Sequence, residues 1–272
     1  MHSVPAPDQH TRHLPRILCL HGGGTNARIF RAQCRGIVAQ LKSEYRLIFA
    51  EAPFESQVGP DVTQAYGGWG PFRRWLRWLP DQPNAHPNFI IEQIDGSLMD
   101  AMASDTRAGA TGEWVGILGF SQGAKVAASI LYRQQLRHQV LEQDKWFNFQ
   151  FGILLAGRAP LVSLDPDLWP DQTLPDASQT TDWPRRDSDK RSFYGNEHIL
   201  SIPTLHVHGL NDKGLELHRS LFERFCDSRS RHLVEWDGAH QVPLKLKDVQ
   251  VVVEEIRNLA AGATADTTYN QL

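Results

Sequence analysis

Residues 119–123 read Gly-Phe-Ser-Gln-Gly, and their flanks leave the backbone few options. Ahead of them runs Trp114-Val115-Gly116-Ile117-Leu118, a short apolar segment of the kind that fills a buried parallel strand. Behind them runs Ala124 to Tyr132, rich in helix formers and carrying an apolar stripe. A strand must therefore give way to a helix within a few residues, with a serine at the bend. Glycines on either side of that serine permit this, because a Cβ at those positions would collide with the adjoining elements. A G-x-S-x-G bend between strand and helix lifts a serine hydroxyl onto a strained turn, which makes Ser121 a candidate nucleophile.

The rest of the chain repeats the same alternation. Apolar β-prone runs at Arg16–Leu20, Tyr45–Ala50, Phe149–Leu155, Thr204–His208 and His232–Trp236 join the one before Ser121. Helical patterns fall at Ala27–Leu41, Asn88–Met102, Leu215–Phe225 and Val242–Leu259, besides the one after Ser121. This order specifies an α/β fold with a mostly parallel sheet of about six strands and helices on both faces. Two segments, residues 51–87 and 159–202, interrupt it and are rich in Pro and Trp, as long active-site loops in a compact domain are. The expected organisation is one domain over residues 14–260, with a disordered tail at 1–13 and a small, polar tail at 261–272.

Composition excludes several classes of function. A chain of 272 residues with 41% hydrophobic content can build a large core, and its formal net charge of -3 gives no electrostatic footprint for nucleic acid. No apolar run is long enough for a membrane span, and residues 1–13 lack the apolar stretch of a secretion signal. Three cysteines, Cys19, Cys34 and Cys226, are too few and too scattered for a disulfide framework. A soluble, reduced, cytoplasmic protein is expected.

A serine hydroxyl is a poor nucleophile at neutral pH and requires a base and a group that orients the base. In the α/β-hydrolase arrangement these follow the serine in the order acid, then histidine, on loops after later strands. Asp212 lies just past the strand ending at His208, and His240 just past the strand ending at Trp236. All three residues then reach the carboxyl edge of the sheet, where open α/β folds bind ligands. Asp237 is the rival acid, but so close to His240 it is better placed to shape the loop. Leu20-His21-Gly22-Gly23-Gly24, after the first strand, resembles an HGGG oxyanion element. Gly23 is the first choice for one backbone N–H donor and Gly24 the second, with Gln122 supplying the other donor. His21 is expected to order this loop. No Lys-Ser/Thr follows these glycines, so a phosphate-binding P-loop is disfavoured. His206 and His208 alternate in a strand without a third ligand at compatible spacing, so neither a metal nor a cofactor is expected.

With these pieces placed, the chain resembles the FSH family of serine hydrolases. The matching segments are Ile17–Gly22 with Thr25, Asn26 and Phe30, then Glu51-Ala52-Pro53, Gly119–Ala124, His206–Gly209 with Asp212, and Gly238-Ala239-His240. More narrowly, it resembles thioesterases and hydrolases encoded with fungal polyketide synthases. That resemblance implies hydrolysis of an acyl thioester on a polyketide synthase acyl carrier protein, met transiently. The third glycine, Gly24, departs from many relatives, which carry a bulky residue there.

Aromatic residues crowd both long loops: Trp69, Phe72, Trp75 and Trp78 in the first, Trp169, Trp183, Phe193 and Tyr194 in the second. Trp69, Phe72 and Trp183 are the candidates for walling an apolar acyl pocket, whereas Trp75 and Trp78 are equally consistent with one face of a short packed helix. A general carboxylesterase with the same triad is the alternative function, and a ligand-binding relative without turnover a third. Dehalogenase chemistry is disfavoured, since that reaction needs aspartate at the elbow.

Overall fold

The computed structural model describes residues 9–60, 62, 64–141, 147–166, 173–179 and 198–269. The strands are β1 (Arg16–Leu20), β2 (Arg46–Ala50), β3 (Phe54–Ser56), β4 (Phe72–Arg74), β5 (Trp114–Phe120), β6 (Phe151–Leu155), β7 (Thr204–Gly209) and β8 (Arg231–Trp236). Helices are α1 (Ala27–Gln33), α2 (Arg35–Leu41), α3 (Pro87–Arg107), α4 (Gln122–Val140), α5 (Leu215–Phe225) and α6 (Leu246–Tyr269). Six strands form one sheet in the order β2-β1-β5-β6-β7-β8, every pair parallel.

Strand alternation divides the core between the two faces of this sheet. Leu18, Leu20 and Ile117 point toward α3, α4 and α5, where they meet Ile94, Val126 and Leu221. Ile17, Cys19 and Leu118 point the other way, toward α1, α2 and α6, and meet Phe30, Ile37 and Val253. Both faces being covered explains why the strands read as continuous apolar runs. At the amino edge Arg46 grips Asp105 through Nε (3.0 Å) and Nη2 (2.6 Å), fastening β2 to the end of α3. Among the described residues no helix is long and apolar enough to cross a membrane.

The structure corrects the sequence reading in several places. The expected helix over residues 27–41 breaks at Cys34, whose ψ of 6° turns α2 toward α6, where Gly36 lies against Val249. Helix α3 extends to Arg107, and Gly109 at φ 94° follows its end. Part of the expected N-terminal tail is held in place: Arg46 Nη1 donates to Thr11 Oγ1 at 2.7 Å and Thr111 N to the Arg12 carbonyl at 2.8 Å. The last helix begins only at Leu246, after Pro243, and runs to Tyr269, into the segment expected to be a polar tail.

The first long loop carries a two-stranded antiparallel hairpin of β3 and β4. Its β4 strand binds the β1–α1 loop, with Gly24 N donating to the Arg73 carbonyl at 2.9 Å and Arg73 N to the Thr25 carbonyl at 2.6 Å. Trp75 and Trp78 follow β4 without forming a helix. The described parts of the second long segment pack on α4, where Val162 N donates to Ser129 Oγ at 2.9 Å.

Candidate active site

Ser121 sits between β5 and α4 with φ 53° and ψ −114°, a conformation that few side chains adopt. Its amide donates to the Leu155 carbonyl of β6 at 2.9 Å, so the strained turn is anchored to the sheet. The flanking glycines have the reason anticipated for them. A Cβ on Gly119 would stand 2.3 Å from the Gly123 carbonyl oxygen, and one on Gly123 would stand 2.1 Å from that of Leu20.

Two loops at the same edge bring their side chains to this serine. His240 Nε2 is 2.8 Å from Ser121 Oγ, and His240 Nδ1 is 2.5 Å from Asp212 Oδ2. The other carboxylate oxygen of Asp212 accepts from Gly214 N at 2.7 Å, closing an Asx-type turn that aims the carboxylate. Burial alone raises a carboxyl pKa, but here the hydrogen bonds from His240 and Gly214 prevail and bring Asp212 down to about 2. Asp237 is spent elsewhere: it accepts from Asn211 Nδ2 at 2.8 Å and so ties the acid loop to the histidine loop. The ring of Phe120 backs His240 with centroids 5.1 Å apart.

On the opposite side of Ser121 lies the glycine loop. Gly24 N is committed to Arg73, which removes the second choice of oxyanion donor. Among the described residues the N–H groups of Gly23 and Gln122 meet no acceptor, as a pair held ready for a substrate oxygen requires. Gly24 holds φ 70°, and a Cβ there would meet Gly59 N at 2.4 Å, so a bulky residue has no room in this version of the loop. His21 is buried and orders the loop: Nδ1 contacts Thr25 Oγ1 at 3.1 Å, and Nε2 accepts from Ala52 N at 3.1 Å.

Sequence reasoning missed how the hairpin supports this loop. Trp75 is fully buried, and its indole N–H donates to the His21 carbonyl at 2.8 Å. The Gln122 side chain accepts from Trp75 N at 2.8 Å and donates to the Leu76 carbonyl at 2.9 Å. Trp69 is held by Asn26, whose Nδ2 donates to its carbonyl at 2.8 Å, with Arg28 lying 4.0 Å above its ring. Phe72 is half-buried on β4 opposite Ser56. Trp169, Trp183, Phe193 and Tyr194 lie outside the described residues. His206 and His208 are fully buried against Phe222, and His218 of α5, which the sequence reading passed over, lies beside Asp212.

The family model described as "Serine hydrolase (FSH1)" matches residues 11–252. The chain belongs to the FSH1 serine hydrolase family. Relatives of this FSH1-family hydrolase are similar over most of their length. It is 61% identical over 261 residues to the esterase claE of Penicillium crustosum, covering 96% of this chain and 98% of that one. The esterase citA of Monascus ruber is 56% identical over 257 residues, covering 94% of this chain and 95% of its own. The esterase mpl1 of Monascus purpureus shares the same identity with coverage of 94% and 80%.

Proposed function

We propose that this hydrolase cleaves an acyl thioester presented by the acyl carrier protein of a polyketide synthase in fungal secondary metabolism, through an acyl-enzyme on Ser121. The observation that supports it most is the unbroken path Ser121 Oγ, His240 Nε2, His240 Nδ1, Asp212 Oδ2, beside two uncommitted N–H donors.

The chemistry follows from those contacts. Ser121 Oγ attacks the carbonyl carbon as its proton passes to His240 Nε2, and Asp212 stabilises the imidazolium that results. Gly23 and Gln122 N–H groups hold the oxyanion. Collapse breaks the C–S bond; the thiolate leaves far more readily than an alkoxide and takes the proton from His240 Nε2, which returns the imidazole to its neutral form. His240 then takes a proton from water, which attacks the acyl-enzyme; the tetrahedral adduct collapses, returning the proton to Ser121 and releasing the acid.

Trp69, Phe72 and Trp183 are proposed to wall the acyl chain, each buried methylene contributing about 0.8 kcal/mol. The second reading, a general carboxylesterase acting on free short-chain esters, draws on the relatives being named esterases. The two separate in kcat/KM for acyl-N-acetylcysteamine thioesters against p-nitrophenyl esters of increasing chain length. The thioesterase reading expects medium or long thioesters to prevail. A profile that peaks at acetyl, or that favours oxygen esters at every length, replaces it with the carboxylesterase.

A further inference from the structure

Behind the acid stands a second imidazole. His218 is fully buried, and among the described residues neither of its ring nitrogens has a hydrogen-bond partner. Buried polar groups are seldom left so, and each instance calls for a water, an ion or a functional reason. His218 Nε2 stands 3.6 Å from Asp212 Oδ2, too far for a hydrogen bond. The same oxygen lies 2.5 Å from His240 Nδ1. Asp212, His218 and His240, from three different segments, each place one ligand atom within 4.8 Å of the others.

Two ligands of one tetrahedral ion with bonds of about 2.0–2.2 Å stand roughly 3.3–3.6 Å apart. The Asp212–His218 pair already has that separation, whereas the Asp212–His240 pair must open by about 1 Å as the ion takes the place of its hydrogen bond. The donor set narrows the ion. Two imidazoles and one carboxylate match zinc, cobalt, nickel or copper, whereas magnesium and calcium take oxygen shells. Access is one-sided: the Asp212 and His218 side chains are 1% and 0% exposed, and His240 is 11% exposed, so an ion enters past His240.

We propose that Asp212, His218 and His240 form a binding site for a divalent transition ion of the zinc class, and that its occupation switches the enzyme off. Its effect on activity rests on the triad reading; the binding itself does not. With the ion on His240 Nδ1, the neutral ring keeps its single proton but must carry it on Nε2. Nε2 then donates to Ser121 Oγ and has no lone pair with which to take the serine proton. The charge of Asp212 is likewise drawn to the ion. His218 holds the ion through Nε2 with its own proton on Nδ1, so the neutral site loads without net loss of a proton.

The probe is Co²⁺, titrated into metal-free wild-type, Ser121→Ala and His218→Leu proteins, with His218→Asn as a second replacement should the leucine variant fail to fold. Wild type and Ser121→Ala should both develop the visible absorption of cobalt in a low-coordinate nitrogen and oxygen shell, reversed by Zn²⁺. Loss of one ligand in the His218 variants should weaken binding at least about tenfold. The Zn²⁺ concentration that halves hydrolysis of a p-nitrophenyl ester should rise by the same factor, each variant measured against its own metal-free rate. Absence of the cobalt spectrum in wild type, or equal affinity in a folded His218 variant, overturns the site. If Ser121→Ala still hydrolyses ester while cobalt binding depends on His218, the nucleophile assignment fails and the metal site stands.

Discussion

The Gln122 side chain accepts a hydrogen bond from the Trp75 amide at 2.8 Å, joining the first residue of α4 to the residue that follows strand β4. The same oxygen takes Leu76 N at 3.2 Å, so one carboxamide holds the segment after the hairpin, while the hairpin itself grips the glycine loop. Gln122→Met keeps the backbone N–H of the proposed oxyanion pair and removes only this clamp. It should destabilise the protein by about 2–3 kcal/mol through two unsatisfied amides and a carbonyl. It should also lower kcat by about 10- to 100-fold through displacement of Gly23. Urea unfolding and steady-state kinetics check both, and an unchanged kcat would place the clamp outside catalysis.

Two aspartates compete for the role of acid, and their contacts separate them. Asp212→Asn should preserve the turn closed by Gly214 yet favour the wrong tautomer of His240, lowering kcat by about 10⁴-fold. Asp237→Asn still accepts from Asn211 and should lose less than about tenfold. Greater damage from the Asp237 change would show that the wrong acid has been named.

Ser121 holds a positive φ of 53°, a conformation in which any side chain is strained. Ser121→Gly should therefore raise stability by about 1 kcal/mol while abolishing hydrolysis. Ser121→Ala should abolish hydrolysis with no such gain. Thermal denaturation of the two variants side by side tests the difference.

Acid sensitivity should come from the buried histidines. Burial lowers His208 to about 4 against the opposing charge of Glu235, and lowers His206 well below the ordinary 6.5, with neighbouring Arg231 adding to the shift of His206. The unfolded chain takes up these protons near pH 6.5 and the folded chain does not, so stability is complete above that pH and falls as pH drops toward 4. Each group contributes a slope of about 1.4 kcal/mol per pH unit. Asp212, held at about 2, adds its loss only below about pH 4. Urea midpoints between pH 8 and pH 4 should be flat at first and then decline. His208→Leu should remove about one proton from the slope, and an unaltered slope would contradict this origin.

How much of this the sequence disclosed depends on whether the signal was local. The strands and the elbow were legible because both sheet faces are covered, which leaves apolar runs that periodicity detects, and because Gly119 and Gly123 meet backbone that no side chain can pass. Asp212 and His240 followed from their places after β7 and β8. What escaped was set by tertiary contact. Cys34 breaks a helix whose apolar pattern continues through it, since the turn serves packing on α6. Trp75 is two residues from Arg73 and six from Trp69, and nothing in the composition of that loop marks it as the one that braces His21. His218 occupies an ordinary place on an amphipathic helix, and only the folded loop brings Asp212 beside it.

The central claim is that Ser121 is the nucleophile and His240 its base. A fluorophosphonate probe tests it most directly, because it reacts only with a serine whose proton has somewhere to go. The account predicts one adduct per chain, located by peptide mass spectrometry at Ser121. It predicts no adduct in Ser121→Ala, and labelling slowed at least about 10³-fold in His240→Ala. An adduct on another residue, or labelling that persists in Ser121→Ala, would contradict it.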